Sequence, residues 1–327
     1  MTPSTSEELA AHGILIESAP CAFCGSAGGT PIVVGRDRQH GLPGRFRVVR
    51  CDPCGLMRTD PRPTIDSIRR YYPPDYAPYQ ASAPRWDGHR WLNALLDGGW
   101  TRMPASPPAR LLELGTSTGL FLQRMQARGW DVTGIESSEP AARTASVRTG
   151  RPVYAIDLNR LDGVDRPAAA TAAAPFAPGS FEAICAWMVI EHLHDPVAAL
   201  RRAFDWLAPG GWIAMSVPDA GSWMCRAFGE AWFCLDVPRH LYHFSPRTLR
   251  MVLTACGFRD ITLTRPGTVG DLVYSVVDRL DDRGWLSRAT SRRLLAPWPV
   301  RALMAGAGVA ARVVPVSSCL VVTARKP

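Results

Sequence analysis

A short apolar run that breaks into a glycine-containing turn constrains this chain more than any other stretch. Residues 111–122 have the sequence LLELGTSTGLFL, which combines a strand pattern, a turn containing Gly115 and Gly119, and the start of a helix. Glycine lets such a turn close tightly and brings its backbone near a ligand. The open amide groups at the start of a helix attract anionic or polar ligands. The run therefore predicts a βα unit with a ligand at its turn.

The residues around this turn argue against a pyrophosphate ligand. The dinucleotide fingerprint has a central glycine where the backbone meets the pyrophosphate, but this chain has Ser117 there and Glu113 at the mouth of the turn. A carboxylate at that place suits a ligand that carries an ammonium group. Glu136 ends the next predicted strand and would accept hydrogen bonds from ribose hydroxyls, so the two acids are expected to hold opposite ends of one ligand. The alternative is an ordinary βα turn with a solvated Glu136.

The basic excess of the chain is almost entirely arginine. The formal net charge is +8, and Lys326 is the only lysine. This bias is typical of a GC-rich genome rather than of a phosphate-binding surface, so a nucleic-acid partner is not favoured. The N-terminus lacks the pattern of a signal peptide, and no uncharged apolar run reaches the ~18 residues of a membrane-spanning helix. We therefore expect a cytoplasmic protein. The length of 327 residues corresponds to one large domain or two smaller ones.

Two C-x-x-C-G motifs predict a metal site near the N-terminus. The four thiols belong to Cys21, Cys24, Cys51 and Cys54. Each motif forms a knuckle with two thiolates, and together they complete a tetrahedral Zn²⁺ site without an open position, so the metal would be structural. Runs at 31–34 and 46–50 predict a small hairpin between the knuckles. The alternative is two unrelated turns with buried thiols.

A segment rich in tyrosine and proline follows these motifs. Its prolines disfavour regular structure, while Tyr72, Tyr76 and Tyr79 offer ring area and hydroxyl groups. The segment is either a packed linker or a flap over a site, which makes the three tyrosines candidate substrate contacts. We predict a poorly ordered lead-in over residues 1–17 within a zinc-ribbon module (1–60), then a linker with a helix at 86–100 (61–108), and a main domain (109–327).

Strand and helix patterns alternate along the main domain. Strands are predicted at 111–114, 131–136, 153–156, within 180–196 and at 212–217, and helices at 140–149 and 197–207. This alternation predicts an α/β fold with a doubly wound parallel sheet. The Ala- and Pro-rich run at 167–178 predicts a surface loop.

Four short blocks of the main domain occur together in one enzyme family. They are FEAI at 181–184, EHLHDP at 191–196, PGG at 209–211 and PRHLYHFS at 238–245. With them, residues 111–258 resemble a class I S-adenosylmethionine-dependent methyltransferase of the small-molecule branch. Glu182 replaces the usual aspartate of that family and Ser117 its frequent central glycine. With the cysteine motifs upstream, the chain is similar to sugar C-methyltransferases and related enzymes of polysaccharide and secondary-metabolite pathways.

The resemblance implies a fold and a cofactor site. The fold would be a Rossmann-like sheet of seven strands, with an antiparallel last strand at 320–324 beside 261–264 and a helical insertion at about 268–316. That insertion would serve helical packing, a dimer face or, through 303–314, contact with a membrane surface. The implied cofactor-binding residues are Glu113, Gly115, Thr116, Ser117, Gly119, Glu136, Ser137, Asp157, Leu158, Trp187 and Met188.

Methyl transfer from a sulfonium mainly requires alignment, but a hydroxyl or carbon acceptor also needs a base. His240 is the first candidate for that base and His192 the second, because imidazole titrates near neutral pH. Asp219 and His243 are further candidate substrate contacts. An RNA methyltransferase that uses the zinc ribbon and its arginines, and a non-catalytic binding protein on the same scaffold, stay open as alternatives. The acceptor, the methylated atom and the oligomeric state are not determined by these patterns.

Overall fold

The computed structural model of this chain describes residues 2–76, 79, 106–107, 109–160, 176–265, 270–287, 290 and 318–327. Within these ranges, no helix combines the length and apolarity needed to cross a membrane. The helix predicted at 86–100, the predicted membrane contact at 303–314 and most of the predicted loop at 167–178 lie outside them.

The described ranges contain thirteen strands and seven α-helices. The strands are β1 (Ile16–Glu17), β2 (Thr30–Arg36), β3 (Arg45–Arg50), β4 (Met57–Thr59), β5 (Arg62–Pro63), β6 (Arg110–Leu114), β7 (Asp131–Glu136), β8 (Val153–Ala155), β9 (Phe181–Trp187), β10 (Leu207–Pro218), β11 (Tyr242–His243), β12 (Arg259–Thr264) and β13 (Cys319–Arg325). The helices are α1 (Ser6–Ala10), α2 (Leu120–Gln126), α3 (Glu139–Thr149), α4 (Pro196–Trp206), α5 (Trp223–Phe228), α6 (Pro246–Ala255) and α7 (Gly270–Asp282).

A seven-stranded sheet forms the centre of the main domain. Its strand order is β12-β13-β10-β9-β6-β7-β8. Neighbours from β10 to β8 pair in parallel, whereas β13 is antiparallel to both β10 and β12. The predicted doubly wound sheet with an antiparallel last strand is therefore confirmed. Of the predicted helical insertion, the described part contains α7.

The sheet gathers the ends of several strands at one place. The chain order reverses at β6, which lies between β7 and β9, and ligands of open α/β sheets bind outside the carboxyl ends of strands at such a point. The EHLHDP block follows β9 here, and its first two residues belong to a short 3₁₀ turn, Ile190–His192. Asp195 then caps α4 by accepting the Ala198 amide, and Pro196 occupies the first turn of that helix. These local rules fix the direction of the loop that carries His192.

The cysteine-containing region shares a sheet with the main domain. Its four strands have the order β11-β4-β3-β2, and β11 comes from the PRHLYHFS block, more than a hundred residues downstream. Thr59 also donates its hydroxyl to the His240 carbonyl at 2.8 Å and its amide to the Leu241 carbonyl at 2.9 Å. Buried apolar residues of both regions belong to one continuous core. The domain boundary at residue 60 therefore remains a prediction, and the packing is continuous across the two regions.

The expectation of a poorly ordered lead-in at residues 1–17 was wrong. Thr5 caps α1 and forms a reciprocal capping box with Glu8, which satisfies open amides at the start of the helix. Leu9 and Ile14 are buried in the core, and β1 pairs with β5. Apolar burial at two positions outweighs the weak intrinsic stability of a five-residue helix.

Candidate active site

The turn after β6 has the backbone that its glycines allow. Gly115, Ser117 and Gly119 have φ angles of 69°, 50° and 79°, in the left-handed region where glycine carries little penalty. A Cβ on Gly115 would lie 2.5 Å from a Val189 methyl group, and one on Gly119 would lie 2.8 Å from the Ala145 methyl group. Both glycines are therefore required by close approach as well as by backbone angle.

Glu136 closes this turn from the end of β7. One carboxylate oxygen accepts the Ser117 amide at 2.8 Å, and the other accepts the Ser138 amide at 2.9 Å and the Ser137 hydroxyl at 3.2 Å. A carboxylate has about four acceptor positions, so these contacts leave room for a ligand donor. The side chain is buried yet lies on the wall of a cavity.

That cavity has a volume of about 540 Å³ and lies at the carboxyl ends of β6 to β9. This volume falls in the range of small-molecule and cofactor sites. One part of the wall comes from the strand ends and the turn, and the other from the N-terminal region and the 233–240 loop. The predicted residues that line it are Gly115, Ser117, Glu136, Ser137, Asp157, Leu158, Trp187, Met188, Tyr72, Tyr76, Tyr79, His192 and His240.

Glu113 does not join Glu136 on this wall. Glu113 is paired with Gly134 of β7 and Cys185 of β9 in the sheet, and its side chain is buried. One of its carboxylate oxygens has no hydrogen-bond partner among the described residues. Burial, with a smaller effect from Glu136, raises the pKa of Glu113 well above the usual range. The expectation that both acids face one cavity is met by Glu136 only.

Four other predicted residues also lie off the described wall. Thr116 packs its methyl group where a side chain on Gly134 would be, and Gly119 contacts α3. Asp219 is buried and accepts hydrogen bonds from Arg265 and from the Gly221 amide, both at 2.8 Å. His243 lies in β11 with its Nε2 3.5 Å from the Thr59 hydroxyl. The structure does not bring Asp219 and His243 together with the tyrosines.

The three predicted tyrosines form one aromatic wall. The rings of Tyr72 and Tyr76 meet edge to face with centroids 5.1 Å apart, and those of Tyr76 and Tyr79 are 5.2 Å apart. The Tyr72 hydroxyl lies 2.9 Å from Nδ1 of His192. Burial raises the pKa of Tyr79 to about 12, so its hydroxyl stays neutral. This wall joins the cysteine-containing region to the cavity.

Both candidate bases have a defined orientation. Nδ1 of His240 donates to the Cys234 carbonyl at 2.9 Å, and Nδ1 of His192 lies 3.0 Å from the Arg239 carbonyl. A carbonyl can only accept, so a neutral His240 carries its proton on Nδ1 and has a lone pair on Nε2. Burial lowers the pKa of His240, and it lowers that of His192 to about 3. Both imidazoles are therefore neutral at neutral pH.

Sequence reasoning missed two acids near these histidines. Asp236 lines the cavity, and its Oδ2 is 3.9 Å from Nε2 of His240. Glu191 is fully buried with its Oε1 4.0 Å from the same nitrogen, and neither of its oxygens has a hydrogen-bond partner among the described residues. The EHLHDP block contains Glu191, so its position next to His192 was a usable signal. No local pattern identifies Asp236.

The four predicted metal ligands converge. The Sγ atoms of Cys21 and Cys54 are 3.6 Å apart, and those of Cys24 and Cys51 are 3.4 Å apart. All four lie within 4.8 Å of one another. Zn–S bonds of about 2.3 Å in a tetrahedron require sulfur atoms about 3.8 Å apart, so this donor set fits a zinc ion.

The main domain of this chain is similar in sequence to known methyltransferases. A family model described as a methyltransferase domain matches residues 89–263. The ubiquinone biosynthesis O-methyltransferase of Xanthomonas campestris pv. campestris (strain B100) is 28% identical over 176 residues, which cover 51% of this chain and 70% of that protein. The protein of the same name from Albidiferax ferrireducens is 25% identical over 219 residues, covering 62% of this chain and 82% of that protein.

Among solved structures, the Burkholderia thailandensis 1,6-didemethyltoxoflavin-N1-methyltransferase is similar with a TM-score of 0.45 and 17% identity, covering 91% of this chain and 99% of that one. The family match spans more than half of the chain. The chain therefore belongs to the methyltransferase domain family and is a class I S-adenosylmethionine-dependent methyltransferase.

Proposed function

We propose that this enzyme methylates a small hydroxylated molecule, such as a sugar, a polysaccharide precursor or an aromatic secondary metabolite. The observation that carries the proposal is the second part of the cavity wall. There Tyr72, Tyr76, Asp236 and His240 surround a space next to the Glu136 turn. Aromatic faces, hydroxyls, a carboxylate and a neutral imidazole suit an acceptor that carries hydroxyl groups. The curated relatives are O-methyltransferases by name, which supports a hydroxyl acceptor.

The first part of the wall would hold the cofactor. Glu136 would accept the ribose hydroxyls, the 115–117 turn would hold the methionine end, and Asp157 with Leu158 would contact the adenine. Asp157 is oriented by Arg69 at 3.3 Å. When bound, S-adenosylmethionine supplies a methyl group activated by the positive sulfonium.

The chain itself has three tasks in this proposal. The tyrosine wall excludes water from the acceptor side, since Tyr76 packs against Tyr72 and the Tyr72 ring lies against that of His192. The Nδ1–H bond to Cys234 fixes the His240 ring, and its Nε2 takes the acceptor proton. Alignment of the acceptor oxygen with the methyl group accounts for the rest of the rate enhancement.

Charge pairing gives less support to RNA as the substrate. Several arginines of the N-terminal region already contact carboxylates within this chain. The pairs are Arg36 and Arg38 with Asp282, Arg45 with Glu230, Arg62 with Glu17, and Arg69 with Asp157. These contacts compete with phosphate binding.

The direct test incubates the purified chain with S-adenosylmethionine and three acceptor sets: nucleotide-linked sugars, phenolic metabolites and total RNA. Mass spectrometry then follows S-adenosylhomocysteine and the methylated product. We expect one of the small-molecule sets to gain a methyl group in proportion to S-adenosylhomocysteine. Methylation confined to RNA would contradict the proposal.

The four-cysteine cluster would hold a structural zinc ion that supports the sheet shared by β4 and β11. We expect one equivalent of zinc in the wild-type chain by elemental mass spectrometry, and loss of that zinc with a lower melting temperature in Cys51→Ser. Structural zinc contributes directly to folding free energy. Cys256→Ser is the matched control, because Cys256 is also buried but lies outside the cluster. Equal zinc in both variants would show that the ion is held elsewhere.

A further inference from the structure

A buried group of charged side chains near His240 contains two carboxylates, Asp37 and Asp236, and one guanidinium, that of Arg239. The Arg239 side chain is fully buried, and its Nη2 contacts Asp37 at 2.5 Å and Asp236 at 2.6 Å. One guanidinium therefore forms ion pairs with two carboxylates. Asp37 is further stabilised by the Gln39 and Leu42 amides, each at 3.0 Å. The carboxylate of Asp236 is the one that also faces the cavity.

The backbone holds Asp236 in this position despite its conformational cost. Its φ and ψ angles are 33° and 43°, a left-handed conformation that costs free energy for residues other than glycine, although aspartate adopts it more readily than most. Its Oδ2 accepts a hydrogen bond from Nε of Arg239 at 3.1 Å and lies 3.9 Å from Nε2 of His240. Although burial opposes it, Arg239 lowers the pKa of Asp236 below the ordinary value, so the carboxylate is charged.

The other groups that face His240 are neutral or positive at neutral pH. Burial raises the pKa of Glu191 to about 8, which leaves this carboxyl protonated. Burial also lowers the pKa of His192 and of His243 to about 3; their rings lie 4.6 Å and 6.5 Å from that of His240. The remaining charge is the Arg239 guanidinium, which is neutralised by its carboxylates. Asp236 is therefore the nearest anion to the reactive nitrogen among the described residues.

We propose that Asp236 is a positioning residue for the His240 base, and that its carboxylate stabilises the imidazolium formed during methyl transfer. The inference rests on the proposed function. The acceptor O–H bond breaks, and its proton goes to Nε2 of His240. The acceptor oxygen forms the new bond to the methyl carbon, while the pair of the broken carbon–sulfur bond stays on sulfur. A negative charge 3.9 Å from Nε2 favours the protonated ring at this step.

The chain offers a matched pair of variants for the test. Asp236→Asn and Asp37→Asn each remove one carboxylate from the same guanidinium, but only Asp236 faces His240. We expect Asp236→Asn to lower kcat by about 10–100-fold and the NMR-measured pKa of His240 in the cofactor-free protein by about one unit or more. In Asp37→Asn, kcat and that pKa should stay near wild type while the melting temperature falls. Asp236→Glu should recover part of the turnover.

Two results separate failure of this inference from failure of the proposed function. Equal losses of kcat in both variants, with the His240 pKa unchanged in Asp236→Asn, would make Asp236 a structural residue and overturn the inference. If Asp236→Asn does not fold, the pKa in Asp236→Glu decides, because a retained carboxylate must keep it near the wild-type value. Full turnover in a His240 variant would instead defeat the proposed base, whatever Asp236 does to the pKa.

Discussion

Replacing His240 with Gln lowers turnover by about 10²–10⁴-fold and leaves the affinity for S-adenosylmethionine within about twofold of wild type. The reason is geometric. Nδ1 of His240 donates to the Cys234 carbonyl, which leaves the lone pair on Nε2 of a residue that lines the cavity, and a glutamine cannot accept a proton there. The cofactor contacts proposed for Glu136 and Asp157 lie on another part of the wall. Steady-state kinetics and calorimetric titration measure the two effects separately.

His194→Gln is the control for this variant. His194 belongs to the EHLHDP block and is also buried, but its Nε2 contacts the Pro63 carbonyl at 3.0 Å and it is absent from the described cavity wall. We expect turnover within about threefold of wild type, with some loss of stability from the missing hydrogen bond. A comparable loss of turnover in both variants would show that the fold, rather than a base, was affected.

Replacing Arg239 with Met lowers the free energy of unfolding by about 3–5 kcal/mol, because it leaves the buried carboxylates of Asp37 and Asp236 without their cationic partner. The same change releases the Tyr71 carbonyl, which Nη1 of Arg239 contacts at 3.1 Å. Urea denaturation at neutral pH measures the loss. Turnover should fall as well, since this guanidinium connects three segments of the cavity wall.

The pH dependence of this destabilisation has a definite sign. Arg239 lowers the pKa of Asp236 despite burial, so the stabilisation is complete above the ordinary aspartate value of 3.8 and is lost as pH falls through the lower folded value. The difference between wild type and Arg239→Met should therefore shrink in strong acid. Arg45→Met serves as the comparison, because its partly exposed pair with Glu230 is worth at most about 1 kcal/mol. Equal losses in the two variants would contradict the account.

Local patterns sufficed for the features that depend on neighbouring residues. The strand, turn and helix around Gly115 follow from the alternation of apolar and glycine residues, and β6 and α2 begin close to the predicted positions. The paired cysteine motifs likewise predicted a convergence that the sulfur distances confirm. In each case the signal is contained in one or two short segments.

Features that depend on distant pairing were not accessible in this way. The strand β11 joins the sheet of β4 through residues 57–58 and 242–243, and no local pattern specifies that register. Asp236 lies near His240 and has a left-handed backbone, which sequence patterns assign first to glycine. Glu113 was misplaced for a related reason, since its environment is set by Gly134 and Cys185 on neighbouring strands.

The account depends most on the cavity wall at Glu136, and calorimetric titration with S-adenosylmethionine tests it directly. We predict binding of one equivalent to the wild-type chain and at least a tenfold weaker affinity in Glu136→Gln, about 1.4 kcal/mol, because the charged acceptor for the ribose hydroxyls is lost. Glu139→Gln, an exposed acid three residues away that pairs with Arg143, should bind like wild type. Absence of binding to the wild-type chain, or equal affinity in Glu136→Gln and wild type, would contradict the account.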